Sequence, residues 1–309
     1  MKSLFALSLL LASLVSAAEE GAAVAKARAA NSPVQRQAVL AEFANATDDA
    51  TRSALIAAAR EHATDFLLTV LVAPNAPALT AFATGLLPGV TPDRATQLVQ
   101  ACANAPLAAN PIKAVILRGL SQMPGVPPFV DVPTTRLLQR LLQNPDTVAA
   151  TLPLVARWDR TGALTNSAEP AIRQMLRDLV DRAQTDARRL DLATSLLALL
   201  KSRPDALRTI GELLADPIAS PTLKSSLLTA LGEAPGADTT ELLIATLARS
   251  KSPVAFEQLL RRPESSRVLL AAVDAGKISA ADLGADNVAR LRASASNSPT
   301  AKTPTALPR

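Results

Sequence analysis

Catalysis needs convergent groups of matched acidity, and this sequence offers few of them. His62 is the single histidine. It follows Glu61 at the expected end of a helix, a position that predicts contact with the negative pole of the helix dipole rather than general-base work. One imidazole excludes a histidine-built metal site, and no loop of alternating acidic residues is present to hold a hard cation. Cys102 is the single cysteine, which excludes an internal disulfide. Val99 and Ala103 set it on an apolar helical face, where a thiol behaves as a small hydrophobe. Trp158 stands in Arg157-Trp158-Asp159-Arg160. It reads either as an interface anchor between basic neighbours or as a helix-end tryptophan closing the core, and the second is the expectation. Arg173, Arg177, Arg182, Arg188 and Arg189 suggest a basic face, but Asp178, Asp181, Asp186 and Asp191 interleave with them and predict a salt-bridged, solvated surface. Haem-attachment Cys-x-x-Cys-His, a Gly-rich phosphate loop, a Gly-x-Ser-x-Gly elbow and a Ser-x-x-Lys pair are all missing from the sequence. The expectation is therefore a protein that is not an enzyme, with no catalytic, cofactor-binding or metal-ligating residue and no cofactor. The residues that would bind a partner stay open.

The elements around these side chains are easier to read. Of the 309 residues, 49% are apolar but only 2% aromatic, and tyrosine is absent. A core of Ala and Leu favours helices, and the shortage of β-branched and aromatic residues disfavours a sheet, so the predicted class is all-α. The net charge of +5 comes from 32 basic and 27 acidic residues without a block of either sign. Arg far outnumbers Lys. Mixed charge and missing aromatics give no support to a nucleic-acid partner.

Residues 1–18 have the layout of a cleaved signal peptide: Lys2, an apolar run from Leu4 to Val15, and small residues at Ser16, Ala17 and Ala18. Cleavage near Ala18 would make the mature protein secreted or periplasmic. The run falls short of the roughly 20 residues that span a bilayer, so no stable membrane span is expected after cleavage. From residue 19 to 293 one grammar recurs, a cap or turn residue, a first-turn proline and then an apolar stripe. Ser32-Pro33 with Gln35 opens a helix carrying Val34, Ala38, Val39, Leu40 and Phe43. Asp48 and Asp49 open the next, with Leu55, Ile56 and Ala59 inside. The uncharged stretch after Asp65 is cut by Pro74, Pro77 and Pro88 and predicts two buried helices. Thr91-Pro92 precedes Leu98, Val99 and Cys102, and Asn110-Pro111 precedes Ile112, Val115, Ile116 and Leu117. Glu169-Pro170 is expected to begin a helix through Ile172, Met175, Leu176, Leu179 and Val180.

The clearest hairpin is Asp216–Ser250. Ser220-Pro221 caps a stripe of Leu223, Leu227, Leu228 and Leu231, and Asp238 with Glu241 has capping-box spacing ahead of Leu242, Leu243, Ile244 and Leu247. A hairpin of about 33 residues cannot cover its own apolar faces and needs similar hairpins on either side. Roughly fifteen helices, paired at a period of about 30 to 40 residues, are predicted. The longest interruption is Met123-Pro124-Gly125-Val126-Pro127-Pro128-Phe129-Val130-Asp131-Val132-Pro133, a rim loop where contacts would be sought. Residues 294–309 change to Ser, Thr, Asn and Pro and are expected to be a disordered tail.

This pattern resembles the HEAT-repeat α-solenoids, in particular the Ala- and Leu-rich kind found in exported bacterial proteins. The resemblance covers most of residues 33–275. A second likeness lies in Leu269–Leu291, which looks like the segment between the HEAT-like region and the c-type cytochrome domain of large exported bacterial dehydrogenase-like proteins. Propeller and haem-attachment cysteines are both missing from this sequence, so the resemblance implies only the middle module. Such a module would act as a scaffold for a protein partner, using its inner surface and loops. The alternative that the resemblance implies is a structural component of a periplasmic dehydrogenase or cytochrome assembly, whose partner is an exported redox protein.

Overall fold

The computed structural model describes residues 21–73, 79–200 and 203–296. The signal-peptide expectation, Pro74, Pro77 and the chain after residue 296 lie outside them. Among the described residues the chain is all-α, without a strand. No described helix is long and apolar enough to cross a membrane.

Capping chemistry sets where the helices begin. Residues 21–28 form α1, and α2 (Pro33–Asn45) starts with the predicted capping box. Ser32 Oγ accepts from the Gln35 amide at 3.3 Å, and Gln35 Oε1 accepts from the Ser32 amide at 3.0 Å. Asp48 caps α3 (Asp49–Ala59). α4 (Ala63–Val70) and α5 (Thr80–Leu86) come from the uncharged stretch; α4 is largely buried, and α5 buries Phe82, Ala83 and Leu86. Then follow α6 (Ala95–Asn104), α7 (Asn110–Gln122), α8 (Val132–Gln143) and α9 (Val148–Trp158). α10 (Thr165–Val180) leads on to α11 (Asp186–Leu197), α12 (Pro204–Ala215), α13 (Pro221–Glu233) and α14 (Ala237–Ser250). The series closes with α15 (Pro253–Leu260), α16 (Pro263–Asp274), α17 (Ala280–Leu283) and α18 (Ala285–Ser296).

The chain divides into two compact units, Met1–Arg173 and Gln174–Arg309. In the first, α2, α4, α6 and α8 pack successively to form one row, and α3, α5, α7 and α9 form another; α2–α3, α4–α5, α6–α7 and α8–α9 contacts tie the rows together. Its aromatic centre joins three hairpin helices: Phe82 lies 4.8 Å from Phe43 and 5.7 Å from Phe66, centroid to centroid. In the second unit α11, α13 and α15 form one row and α12, α14, α16 and α18 the other. Ser220 caps α13 as predicted, and Leu223, Leu227, Leu228 and Leu231 are buried. Polar contacts recur at one hairpin length. Arg36 reaches Thr69 across 33 residues, Arg140 reaches Asn104 across 36, and Ser294 reaches the Leu260 carbonyl across 34.

Four glycines permit close approach within a row. A Cβ on Gly85 would meet Ile56, one on Gly119 Leu87, one on Gly211 Leu242 and one on Gly232 Gln258. Arginine is used at helix C-termini, where carbonyls lack intrahelical donors. Arg52 donates to the Ala46 carbonyl at 2.8 Å, Arg60 to Gly85 at 2.9 Å and Arg189 to Leu179 at 2.9 Å. Arg262 donates to both Ala234 and Glu233, at 3.2 and 2.6 Å. A forked guanidinium serves two carbonyls at once and complements the negative helix end, which gives the preference for Arg over Lys a physical basis.

Several expectations are corrected. Val34 and Ala38 are exposed rather than part of the α2 stripe, because one facing row buries only Val39, Leu40 and Phe43. α10 begins at Thr165, and Pro170 lies inside it. The Asp159 carboxylate accepts from the Ala163 and Leu164 amides at 3.1 and 2.7 Å, organising the turn before that helix. α14 begins at Ala237 with Gly236 as its cap at φ 153°, so the Asp238–Glu241 capping box does not form; Thr239 instead donates to the Gly236 carbonyl at 2.8 Å. Ser294 to Ser296 are helical, and the Ser294 hydroxyl bonds back to Ser266.

Candidate functional site

The loop between α7 and α8 is the most unusual surface of the first unit. Phe43, Phe66, Phe82 and Phe256 are buried, whereas Phe129 is 84% exposed. Val126 and Val132 flank it and are 74% and 65% exposed. A lone surface valine needs no explanation, but three large apolar side chains within seven positions form a patch that water covers unfavourably.

The loop is held at both ends. At its start, Arg157, from the last turn of α9, donates from Nη1 to the Ser121 carbonyl at 2.8 Å and from Nη2 to the Gly125 carbonyl at 2.9 Å. At its end, Asp131 caps α8 by accepting from the Thr134 amide at 2.8 Å, and the Thr134 hydrogen bonds hold its carboxyl below the usual range. Gly125 has φ +94°, which turns the chain into the loop and favours glycine. The apolar side chains thus sit on an anchored platform.

The residues that could do chemistry are placed differently. Trp158 is only 3% exposed and closes the α9 end of the core, so it is no surface anchor; the function of Arg-Trp-Asp-Arg is local, through the bonds of Arg157 and Asp159. His62 ends the 3-10 turn (Arg60–His62) that continues α3, as expected, and is at the same time the residue before α4, where its side chain makes no capping hydrogen bond. It lines a recess of about 250 Å³ with Thr64, Asp65, Thr91, Asp93 and Arg94. Arg94 Nη2 pairs with Asp65 Oδ1 there at 2.9 Å, and the Thr91 hydroxyl, hydrogen-bonded to the Asp93 carboxylate, holds that carboxyl below its ordinary pKa.

Cys102 is fully buried, and burial pushes its thiol up to about 12. Lys113, 3% exposed, shares this environment; burial pulls its ammonium down, opposed by Cys102 and Asp146. Asn110 donates to Asp146 at 2.8 Å, and Asn144 donates to Asn110 at 3.4 Å. This polar seam joins α7 to the turn before α9. Lys113 went unread in the sequence because Ile112 and the run around Val115 to Leu117 frame it as the wet side of an amphipathic helix.

The Arg and Asp residues around 177–191 interleave as expected, except that Arg189 is buried rather than solvated and closes the end of α10 through the Leu179 carbonyl. Arg188 pairs with Asp191 at 3.4 Å, Arg189 with Asp186 at 3.9 Å and Arg182 with Asp216 at 3.5 Å. Between α12 and α14 runs an open groove of about 670 Å³, floored by Leu207, Gly211 and Leu242 and edged by Arg208, Glu212 and Arg249. The segment Leu269–Leu291 contributes Lys277 and Asp282 to a recess of about 330 Å³, spanned by a 2.9 Å Lys251–Asp282 ion pair.

In fold and surface the chain is an all-helical protein of many short helices, with an anchored apolar loop. No family model, curated protein or solved structure matches it in comparisons with known proteins.

Proposed function

We propose that this chain is a HEAT-like α-solenoid that is exported and acts without catalysis, as a scaffold holding a protein partner. The observation that carries the reading is the loop at Val126, Phe129 and Val132. An apolar patch fixed to a rigid base by two charge-assisted hydrogen bonds is what an interface anchor needs, because little side-chain and backbone freedom remains to be lost on binding. Within each unit, two rows of helices, each helix packed on the next but one, support the solenoid part of the proposal.

The test is to isolate the protein from its own host under mild cross-linking, identify what accompanies it and record the visible spectrum. A reproducible, stoichiometric protein partner lost on Phe129→Ser is the expected result. A Soret band in that complex would identify the partner as the redox protein that the resemblance of Leu269–Leu291 implies. A clean monomer with no partner would overturn the scaffold reading.

A further inference from the structure

The spacing of the exposed side chains on the α7–α8 loop carries information about what covers them. Val126, Phe129 and Val132 lie three residues apart, and all three point to solvent. Three is the period of a polyproline II helix, in which such residues line up at intervals of about 9 Å. The backbone agrees within the segment. Asp131 has φ −82° and ψ 175°, in the extended region, and Pro127 and Pro128 fix their own φ at about −65° and hold the residues before them out of the helical region. Residues 126–131 belong to no helix, strand or turn, and residues 126–130 make no backbone–backbone hydrogen bond, as in a polyproline segment. Pro127, Pro128 and Val130 are half-buried, so the two sides of the segment that do not carry Val126 and Phe129 are the covered ones.

We infer that residues 126–131 are presented as a polyproline II ligand that runs into Val132, the first residue of α8, and that the occupant of this surface is a protein with an aromatic-lined groove that takes Val126, Phe129 and Val132 in successive pockets. This deepens the scaffold reading and rests on it. Two competing modes fit the loop less well. Pairing with an edge strand would need amide donors along the segment, and Pro127 and Pro128 have none. A helix-binding groove would need the loop to rewind, against two consecutive prolines. The prolines and the Arg157 bonds also lower the entropy lost on docking, an advantage specific to the extended mode.

The experiment uses the full-length chain carrying the photo-cross-linker p-benzoylphenylalanine at position 129, irradiated in the host's exported fraction, with position 107 as a control. Leu107 is 74% exposed at a different helix junction. The expected result is a single protein captured at 129 and not at 107, with the cross-link mapped to an aromatic-lined groove. Its affinity for the purified chain then falls roughly tenfold in Pro127→Gly/Pro128→Gly, which keeps every anchoring side chain but removes the stiffness. Far-UV ellipticity of that variant should match the parent, showing that the helices persist. A cross-link that maps to an edge strand or a helix groove, or an affinity unchanged by the glycines, would overturn the polyproline assignment while leaving the scaffold reading intact. Capture of a second copy of this chain would overturn the assignment in favour of self-association. No capture at 129 together with no partner in the mild cross-linking isolation would sink both.

Discussion

Replacing Gly232 by alanine tests whether the close approach of α13 and α15 is built into the chain. Gly232 is buried in the last turn of α13. A Cβ there would stand 2.7 Å from Gln258 Cβ and 2.8 Å from its Cδ. Non-bonded carbons rest at about 3.5–4.0 Å, so something must move by roughly 1 Å. The Gln258 amide can swing away, but its Cβ is fixed to the backbone of α15, and the two helices have to separate locally. Overpacking of this kind costs about 1–3 kcal/mol, and the gain from Gly to Ala within a helix returns about 0.5–1 kcal/mol. The expected net effect is a loss of about 1–2 kcal/mol, read as a lower urea midpoint at constant slope in ellipticity at 222 nm. Adding Gln258→Gly removes the fixed Cβ. The double-mutant cycle should then show a favourable coupling of about 1 kcal/mol or more. An alanine variant as stable as the parent, or a cycle that is simply additive, would refute the argument.

Three further outcomes are expected. Native Cys102 should resist a disulfide-exchange reagent at pH 8 and react fully once urea unfolds the chain, because its thiol is buried and kept protonated. Its folded value of about 12 lies above the 9.0 of an exposed thiol, so its contribution is present below pH 9 and is lost as the pH rises towards 12. Relative to Cys102→Ala, the parent should lose up to about 1.4 kcal/mol of stability per pH unit in that window, by urea titration; parallel profiles would contradict this. Burial shifts Lys113 the other way; because Cys102 and Lys113 interact, the comparison is repeated in a Lys113→Met background to isolate the thiol. Arg157→Ala should speed limited proteolysis between Met123 and Asp131 by roughly tenfold, from the loss of hydrogen bonds to two carbonyls. Arg262→Lys keeps the charge but not the fork that reaches Glu233 and Ala234, and should cost about 1–2 kcal/mol in the same urea assay.

The sequence was most legible where a side chain acts on its own backbone. Ser32, Asp48 and Ser220 all accept from a first-turn amide, so the starts of their helices depend on local chemistry alone; Asp131 caps α8 in the same way inside what the composition marks as loop through Pro133. It misled where a loop at a distance took over. Pro170 looks like a helix start until Asp159 is seen to hold the Ala163 and Leu164 amides, which moves the start to Thr165. Stripe width was illegible in the same way, since Val34 and Leu40 are equally apolar and only the neighbouring helix decides that one is 76% and the other 4% exposed. For the candidate site, the proline-rich loop could be located from composition. The outward direction of Phe129 could not, because it depends on Arg157 gripping Gly125 across 32 residues.

The arginines at helix ends also bear on how such a chain can be recombined. Arg60 serves a carbonyl 25 residues ahead of it, whereas Arg262 serves two that lie 28 and 29 residues behind. In both cases donor and acceptor belong to different hairpins, and the dependence can run in either direction along the chain. A hairpin transplanted by itself would arrive with bare carbonyls or with a guanidinium that has nothing to grip. Duplication or exchange of these modules is conservative only when the cut leaves each arginine in the same piece as the helix it closes, which makes the pair of neighbouring hairpins the smallest unit of inheritance.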